Sequence, residues 1–377
     1  MISASHCPPS SKGLGATPAA GSKASHADVR RVAVIGAGIA GLSCAEGLRG
    51  QGHAVWVFDK SRGPSGRAST RRGEGWACDH GAQYFTAEDP AFIDQVRRWC
   101  EAGVAAPWSP RLHVVGQAPA GLRRRAEHAA PIHRYVGVPA MTSPAQALAA
   151  RLRLSTQHTI DALQRSESGW RVRSAEHGWL EPGFDSVVLA LPAPQALALL
   201  RGVHDGLAAL AARAPMQPCW TVTAVFDHDP LPQFDAAFVN LPVLSWVCAN
   251  HRKPHRAGQA CWVLQAQPAW SRAWLEAQPD AVLRPMLEAF AALGARDAPR
   301  LALAHRWRYA RGALEGGVPD AYGVGSGDQE PRAAWDSASR LGLCGDWLCG
   351  GRVEGAWLSG RALSEALDAD VRGARRG

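Results

Sequence analysis

The sequence contains no uninterrupted apolar run of the ~18–20 residues that cross a bilayer, and no membrane partner is expected. Residues 1–29 are rich in serine, alanine, glycine and proline and lack the apolar segment of a secretory signal. They read as a disordered tail on a cytoplasmic protein, with a targeting role left open. The nine cysteines are an odd number and form no C-x-x-C pair and no zinc-finger spacing. Cys344 and Cys349, with four residues between them, are not at a usual ligand spacing either. Reduced thiols and no metal are therefore expected. Internal repeats are absent. Tyrosine is scarce, at four residues, whereas tryptophan reaches fifteen. Negative charge is also in deficit, with 33 acidic residues against 41 lysines and arginines, a net charge of +8. The basic residues gather in patches such as 123–125 and 372–376, without the helical stripe or interleaved aromatics of a nucleic-acid face. Nucleic acid is excluded as a partner, but a phosphate-bearing small molecule suits a basic surface.

What is present is the composition of a globular protein, 46% hydrophobic and 20% charged, over 377 residues. That length accommodates two domains and a sizeable core. Its most informative stretch is residues 30–60, "RRVAVIGAGIAGLSCAEGLRGQGHAVWVFDK". Residues 32–35 read as a buried parallel strand. Gly36, Gly38 and Gly41 then form G-x-G-x-x-G, and a helix follows with Leu42, Ala45 and Leu48 on one side. A second strand ends on Asp59, eighteen residues after the third glycine. A lone G-x-G-x-x-G is weak, but strand, helix and acid together make a dinucleotide fingerprint. Gly36 allows the turn, Gly38 the approach of a pyrophosphate, and Gly41 close packing of helix on strand. The pyrophosphate is expected at the helix N-terminus, over residues 36–41 including Ala37, Ile39 and Ala40. Asp59 is placed to accept from ribose hydroxyls, with Lys60 beside it.

The loop "GPSGRASTRR", residues 63–72, follows directly and carries three arginines. Gly63, Pro64 and Gly66 break a helix, and no apolar face suggests a strand. Lying near the ligand end of the sheet, it places Arg67 to face phosphates. Arg71 and Arg72 are read either in the same way or as surface residues. Next comes "ACDHGAQYFT", residues 77–86, polar and aromatic together.

Farther along, residues 159–176 suggest a hairpin and residues 187–191 a buried strand ended by Pro192. Residues 193–214 are alanine-rich and helical. Alternation from about 216 to 308 suggests an antiparallel sheet. Near the end, "LGLCGD" is a strand running to Asp346, and "VEGAWLSGRALSEAL" is a helix with small residues on one side. The fold class expected is α/β: a discontinuous Rossmann-type cofactor-binding domain with a second α+β domain on an antiparallel sheet. Its parts are the tail 1–29, cofactor-domain segments 30–90, 143–200 and 337–377, and second-domain segments 91–142 and 201–336.

Taken together, the fingerprint, "GPSGRASTRR", "DHGAQYFT", "RYVGVPAMTS", "LSWV", "HRWRYA" and "GDWLCGGRVEGAWLSG" resemble the renalase-like branch of the flavin amine-oxidase superfamily. The resemblance runs from residue 31 to about 365. It departs at Ser65, where such loops commonly read Gly-Gly-Arg; the serine hydroxyl is available to a phosphate, with Gly66 beside it. The resemblance implies FAD lying between the two domains, and Asp346 accepting from a ribityl or pyrophosphate-side hydroxyl. It also implies a helix starting near Val353 and Glu354 whose N-terminus faces the flavin pyrimidine, where reduced flavin is negative. Gln83 and Tyr84 are expected along the isoalloxazine. The implied reaction is hydride transfer from a 2- or 6-dihydro-NAD(P) to the flavin, with O2 then giving hydrogen peroxide.

Further candidates are His305 and Trp357. His305 and Trp307 share a face of one strand, and each is read either as core or as a substrate contact. Trp246 and Trp357 are open in the same way. His80 and Asp79 are adjacent, so on extended backbone they point apart. Lys253, within "HRKPHR", reads as a surface-loop residue, not as the lysine of a lysine–water pair in an amine oxidase. Residues 252–256 and 305–308 are expected to supply cations and flat walls to the substrate. An amine oxidase or desaturase-like enzyme, or a non-catalytic nucleotide binder, remains the alternative. The four tyrosines speak against a paired-tyrosine cage.

Overall fold

The computed structural model describes residues 29–118, 121–126, 132–315, 318, 323–324 and 331–373. The expected tail at 1–29 lies outside these, except for its last residue.

Strand β1 (Arg31–Ile35), helix α1 (Ile39–Gly50) and strand β2 (Ala54–Asp59) form the expected unit. Val32, Ala33 and Val34 are fully buried, because both faces of a parallel sheet are covered. β1 pairs in parallel with β2 (Val34 opposite Val57) and with Ser186–Leu189 (Val34 opposite Val188). Among the described residues the sheet has seven strands. β2 pairs onward with Arg153–Thr156, and Ser186–Leu189 with Leu341–Leu343, both in parallel. Two antiparallel strands, Ala333–Asp336 and Gly323–Val324, complete the other edge. The first domain therefore takes up strands that the expected boundary at 336 assigns to the second.

A second seven-stranded sheet runs in the order Leu301–Gly312, Met216–Phe226, Ala260–Ala266, Leu244–Ala249, Ala236–Asn240, Leu112–Ala118 and Gly121–Ala126. It is antiparallel except between Ala236–Asn240 and Leu112–Ala118. Ile160–Ser166 and Gly169–Ser174 form the expected hairpin. The alanine-rich stretch is two helices, Ala193–Leu200 and Asp205–Ala212, separated where Gly202 adopts φ +71°. The strand before Asp346 ends at Leu343, and Asp346 opens a single helical turn instead.

The loop at residues 63–72 also differs from expectation. Arg71–Gly73 forms a short strand, β3, paired with β4 (Trp76–Cys78). Two arginines enter a strand because a two-stranded ribbon needs only backbone partners.

The C-terminal helix (Val353–Gly373) lies across α1, and small residues make the crossing. A Cβ on Gly360 would stand 2.0 Å from the Ala40 carbonyl oxygen, and one on Gly47 would stand 2.3 Å from Ser364 Oγ. The run of small residues in the sequence thus has a packing cause. Ten of the fifteen tryptophans are core residues. The eight described cysteines are free thiols. No described helix is long and apolar enough to cross a membrane.

Candidate active site

An open cavity of about 2360 Å³ runs between the two sheets, from the β1–α1 turn to the strand Leu301–Gly312. At its first end Gly36 holds φ +109°, and a Cβ there would meet the Ala190 carbonyl at 2.5 Å. Gly41 is tighter still: its Cβ would lie 1.9 Å from the Gly36 oxygen, so it permits strand and helix to touch. Gly38 behaves differently. A Cβ on it would meet nothing within 4 Å, and no side chain caps the first turn of α1. The helix N-terminus thus presents backbone N–H groups to open space, which is the cradle a phosphate requires.

Gly36, Gly38, Ile39 and Ala40 line the cavity. Ala37 and Gly41, expected among the cofactor contacts, do not; they shape the turn behind it. Asp59 accepts from the N–H groups of Ala37 and Ser61, each at 2.7 Å. A carboxylate has about four lone-pair sites, so acceptor capacity is left for ribose hydroxyls. Lys60 lines the wall next to it. The Ser65 N–H donates to the Ala37 carbonyl at 2.9 Å, with Ser65 at φ +127° and Gly66 at φ +54° against Gly38.

Arg67 and Asp346 both line the cavity, but they meet each other. The guanidinium donates to both carboxylate oxygens, at 3.1 and 2.5 Å, and also to the Ala310 carbonyl. Two residues assigned separately to the cofactor are therefore one bidentate pair, joining loop 63–72 to the C-terminal segment.

The segment 79–83 is held from behind by a buried polar cluster. Asp79, with no exposed surface, accepts from Thr70 Oγ1 at 2.6 Å, Arg256 at 2.6 Å and Lys253 Nζ at 3.3 Å. Burial alone would raise its pKa, but the Lys253 and Arg256 charges outweigh burial and hold it below the usual value. Lys253 Nζ also donates to Gln83 Oε1 at 3.3 Å, and Gln83 Nε2 donates to the Asp79 and Gly81 carbonyls. Two expectations are corrected here. Lys253 is 2% exposed, not a surface residue, because it neutralises a buried carboxylate. The Gln83 amide is spent on Lys253 through its oxygen and on two backbone carbonyls through its nitrogen, although the residue does line the cavity.

Tyr84 does stand on the wall, 5.7 Å from the Trp246 ring, which in turn is 4.9 Å from Phe238. His305 and Trp307 line the opposite part, with ring centroids 4.4 Å apart. His80 joins them, 4.9 Å from His305, and its carbonyl accepts from the Trp307 indole at 2.9 Å. His80 and Asp79 do point apart, as extended backbone requires. Burial, then His305 and Arg71, pushes the His80 pKa down to about 4. Burial and Arg71 lower that of His305.

Other expected residues stand elsewhere. Trp357 is buried against Phe92 at 5.5 Å and does not line the cavity, since its face of the C-terminal helix turns to the core. Glu354 is likewise withdrawn: one carboxylate oxygen accepts from the Glu88 and Asp89 N–H groups at 2.7 Å. Val353 and Ala356 line the cavity, so the start of that helix does face it. Arg252 is tied to Asp229 and Asp235, and Arg256 to Asp79, leaving neither for a substrate. Arg306 and Arg308 line the wall but pair with Glu276. Sequence reasoning passed over Asn250, Phe238 and Gln265. Asn250 accepts from the Asp79 N–H, and Gln265 donates to the Gly81 carbonyl.

Residues 34–99 match the model of an NAD(P)-binding Rossmann-like domain, and residues 122–367 that of the flavin containing amine oxidoreductases. Among solved structures, cyclohexylamine oxidase from Brevibacterium oxydans IH-35A has a TM-score of 0.68 at 14% identity, over 91% of this chain and 100% of that one. Putrescine oxidase bound to putrescine gives 0.66 at 14% identity, over 90% and 99%. At such identities the likeness is one of fold. A zeta-carotene-forming phytoene desaturase of Myxococcus xanthus is 44% identical over 52 residues, 14% of this chain and 10% of that protein.

Proposed function

This chain belongs to the flavin-containing amine oxidoreductase family, whose members are FAD-dependent oxidoreductases, and from that premise we propose a renalase-like activity for it. The substrate is a dihydronicotinamide dinucleotide reduced at ring position 2 or 6, and the product is NAD(P)+. The open Gly38 turn, Asp59 and the start of the C-terminal helix fit FAD, the family's cofactor. Once bound, FAD supplies the hydride acceptor, and O2 takes the electrons to leave hydrogen peroxide.

One observation carries the choice of substrate: among the described residues nine arginine and lysine side chains line the cavity against three aspartates, and five of the nine, Lys60, Arg62, Arg71, Arg72 and Arg311, make no ion pair with a described acid. Such a wall attracts phosphates and repels a protonated amine. The volume of about 2360 Å³ exceeds the roughly 300–1,000 Å³ of an ordinary ligand pocket, which leaves room for a second dinucleotide beside FAD. Tyr84, Trp246 and Phe238 offer flat apolar surface for a nicotinamide ring. The second reading, amine oxidation, is favoured by one feature, the burial of Lys253 behind Gln83.

The two separate in aerobic incubations followed by chromatography. Dihydro-NAD(P) isomers should be converted to NAD(P)+ with one hydrogen peroxide per turnover, while primary amines give none. Peroxide from amines, with the dinucleotides untouched, would reverse the assignment.

A further inference from the structure

The ribbon β3–β4 brings Arg71 onto the cavity wall beside His80 and His305, both of which feel its charge. No described acidic group pairs with it. The nearest in sequence, Glu74, is exposed in the turn of the ribbon and makes no ion pair with it, and Asp79 is consumed by Thr70, Lys253 and Arg256. Its neighbour Arg72 is turned to Thr142. Burial lowers the pKa of both imidazoles and so favours their uncharged form, which offers ring nitrogens for hydrogen bonds. Trp307, fixed by its indole N–H on the His80 carbonyl, adds a flat surface to the same corner. An uncompensated cation beside uncharged hydrogen-bonding rings and an indole is a receptor for a phosphate that carries a sugar or base.

We propose that Arg71 anchors the pyrophosphate of the substrate at the corner formed by His80, His305 and Trp307, on different elements from the phosphate cradle at α1. The proposal rests on the dinucleotide reading above and locates its second phosphate site. Arg71 is here a binding residue; no proton or electron moves through it.

The test uses FAD-loaded protein and calorimetric titration with inorganic pyrophosphate, NAD+ and phosphate-free 1-methylnicotinamide. For Arg71→Ala, affinity for pyrophosphate and NAD+ should fall roughly tenfold or more, the worth of a charge-assisted hydrogen bond. The loss for 1-methylnicotinamide should be at least several-fold smaller. Arg71→Lys should recover part of the affinity, and it serves as the reference if the alanine variant loses FAD. Wild-type affinity for pyrophosphate and NAD+ in these variants would overturn the site. If the site holds pyrophosphate through Arg71 but no dihydronicotinamide is oxidised, the activity assignment falls and the anion site stands. If dihydronicotinamides are oxidised and Arg71→Ala binds them as well as wild type, the reverse holds.

Discussion

Ser65 is a residue at which local conformation and side chain disagree. At φ +127° it occupies backbone space that favours glycine, and strain of this kind costs about 1–3 kcal/mol. The loop tolerates it because the Ser65 N–H is fixed on the Ala37 carbonyl and Gly66 must lie against Gly38. Ser65→Gly should therefore raise the melting temperature of the FAD-loaded protein in calorimetry. An unchanged or lower value would mean that the serine side chain compensates its own strain. His80 gives a prediction in pH. Its folded pKa of about 4 lies below the ordinary 6.5, so the unfolded chain binds a proton that the folded chain refuses. Stability from this group is complete above pH 6.5 and falls as pH drops toward 4, by up to about 3 kcal/mol. His305 acts in the same direction. Urea unfolding at pH 7 and pH 5 measures it, and His80→Gln should flatten the difference. An equal slope in the variant would assign the acid sensitivity to other groups.

Among elements, the crossing of α1 with the C-terminal helix matters most, because the open, uncapped first turn of α1 is the proposed phosphate site. Gly360→Ala would push a methyl group to 2.0 Å from the Ala40 carbonyl oxygen and part the helices. Overpacking of this kind costs about 1–3 kcal/mol. The variant should melt lower and release FAD faster, read from the rise of free flavin fluorescence. At Gly50, the other end of α1, an added methyl group would meet nothing within 4 Å. Gly50→Ala should be neutral or stabilising, since alanine is better than glycine in a helix by up to about 1 kcal/mol. Equal effects of the two substitutions would contradict the packing argument.

For the molecule as a whole, legibility in the sequence followed the range of the interactions. The β1–α1–β2 unit is built from neighbours in the chain, and the turn at Gly36 and the close packing at Gly41 could be read from it. The second sheet was announced by alternation, though the order of its strands was not. What remained hidden was made by distant partners. Lys253 meets Asp79 across 174 residues, and in its own surroundings of arginine, proline and histidine nothing signals burial. Arg67 and Asp346, 279 residues apart, were each recognisable as site residues but not as a pair. Trp357 and Glu354 sit in a motif that faces the cavity at its start, yet the helix turns both toward neighbouring elements.

The central claim is that this basic, aromatic cavity selects a misreduced dihydronicotinamide dinucleotide, and anaerobic mixing of the FAD-loaded protein with candidate donors tests it most directly. A 2- or 6-dihydro-NAD(P) should bleach the flavin absorbance rapidly, ordinary 4-dihydro-NADH far more slowly, and primary amines not at all, with the fast phase weakening as salt is raised. Fast bleaching by an amine, with the flavin left oxidised by the 2- and 6-dihydro isomers, would contradict the account.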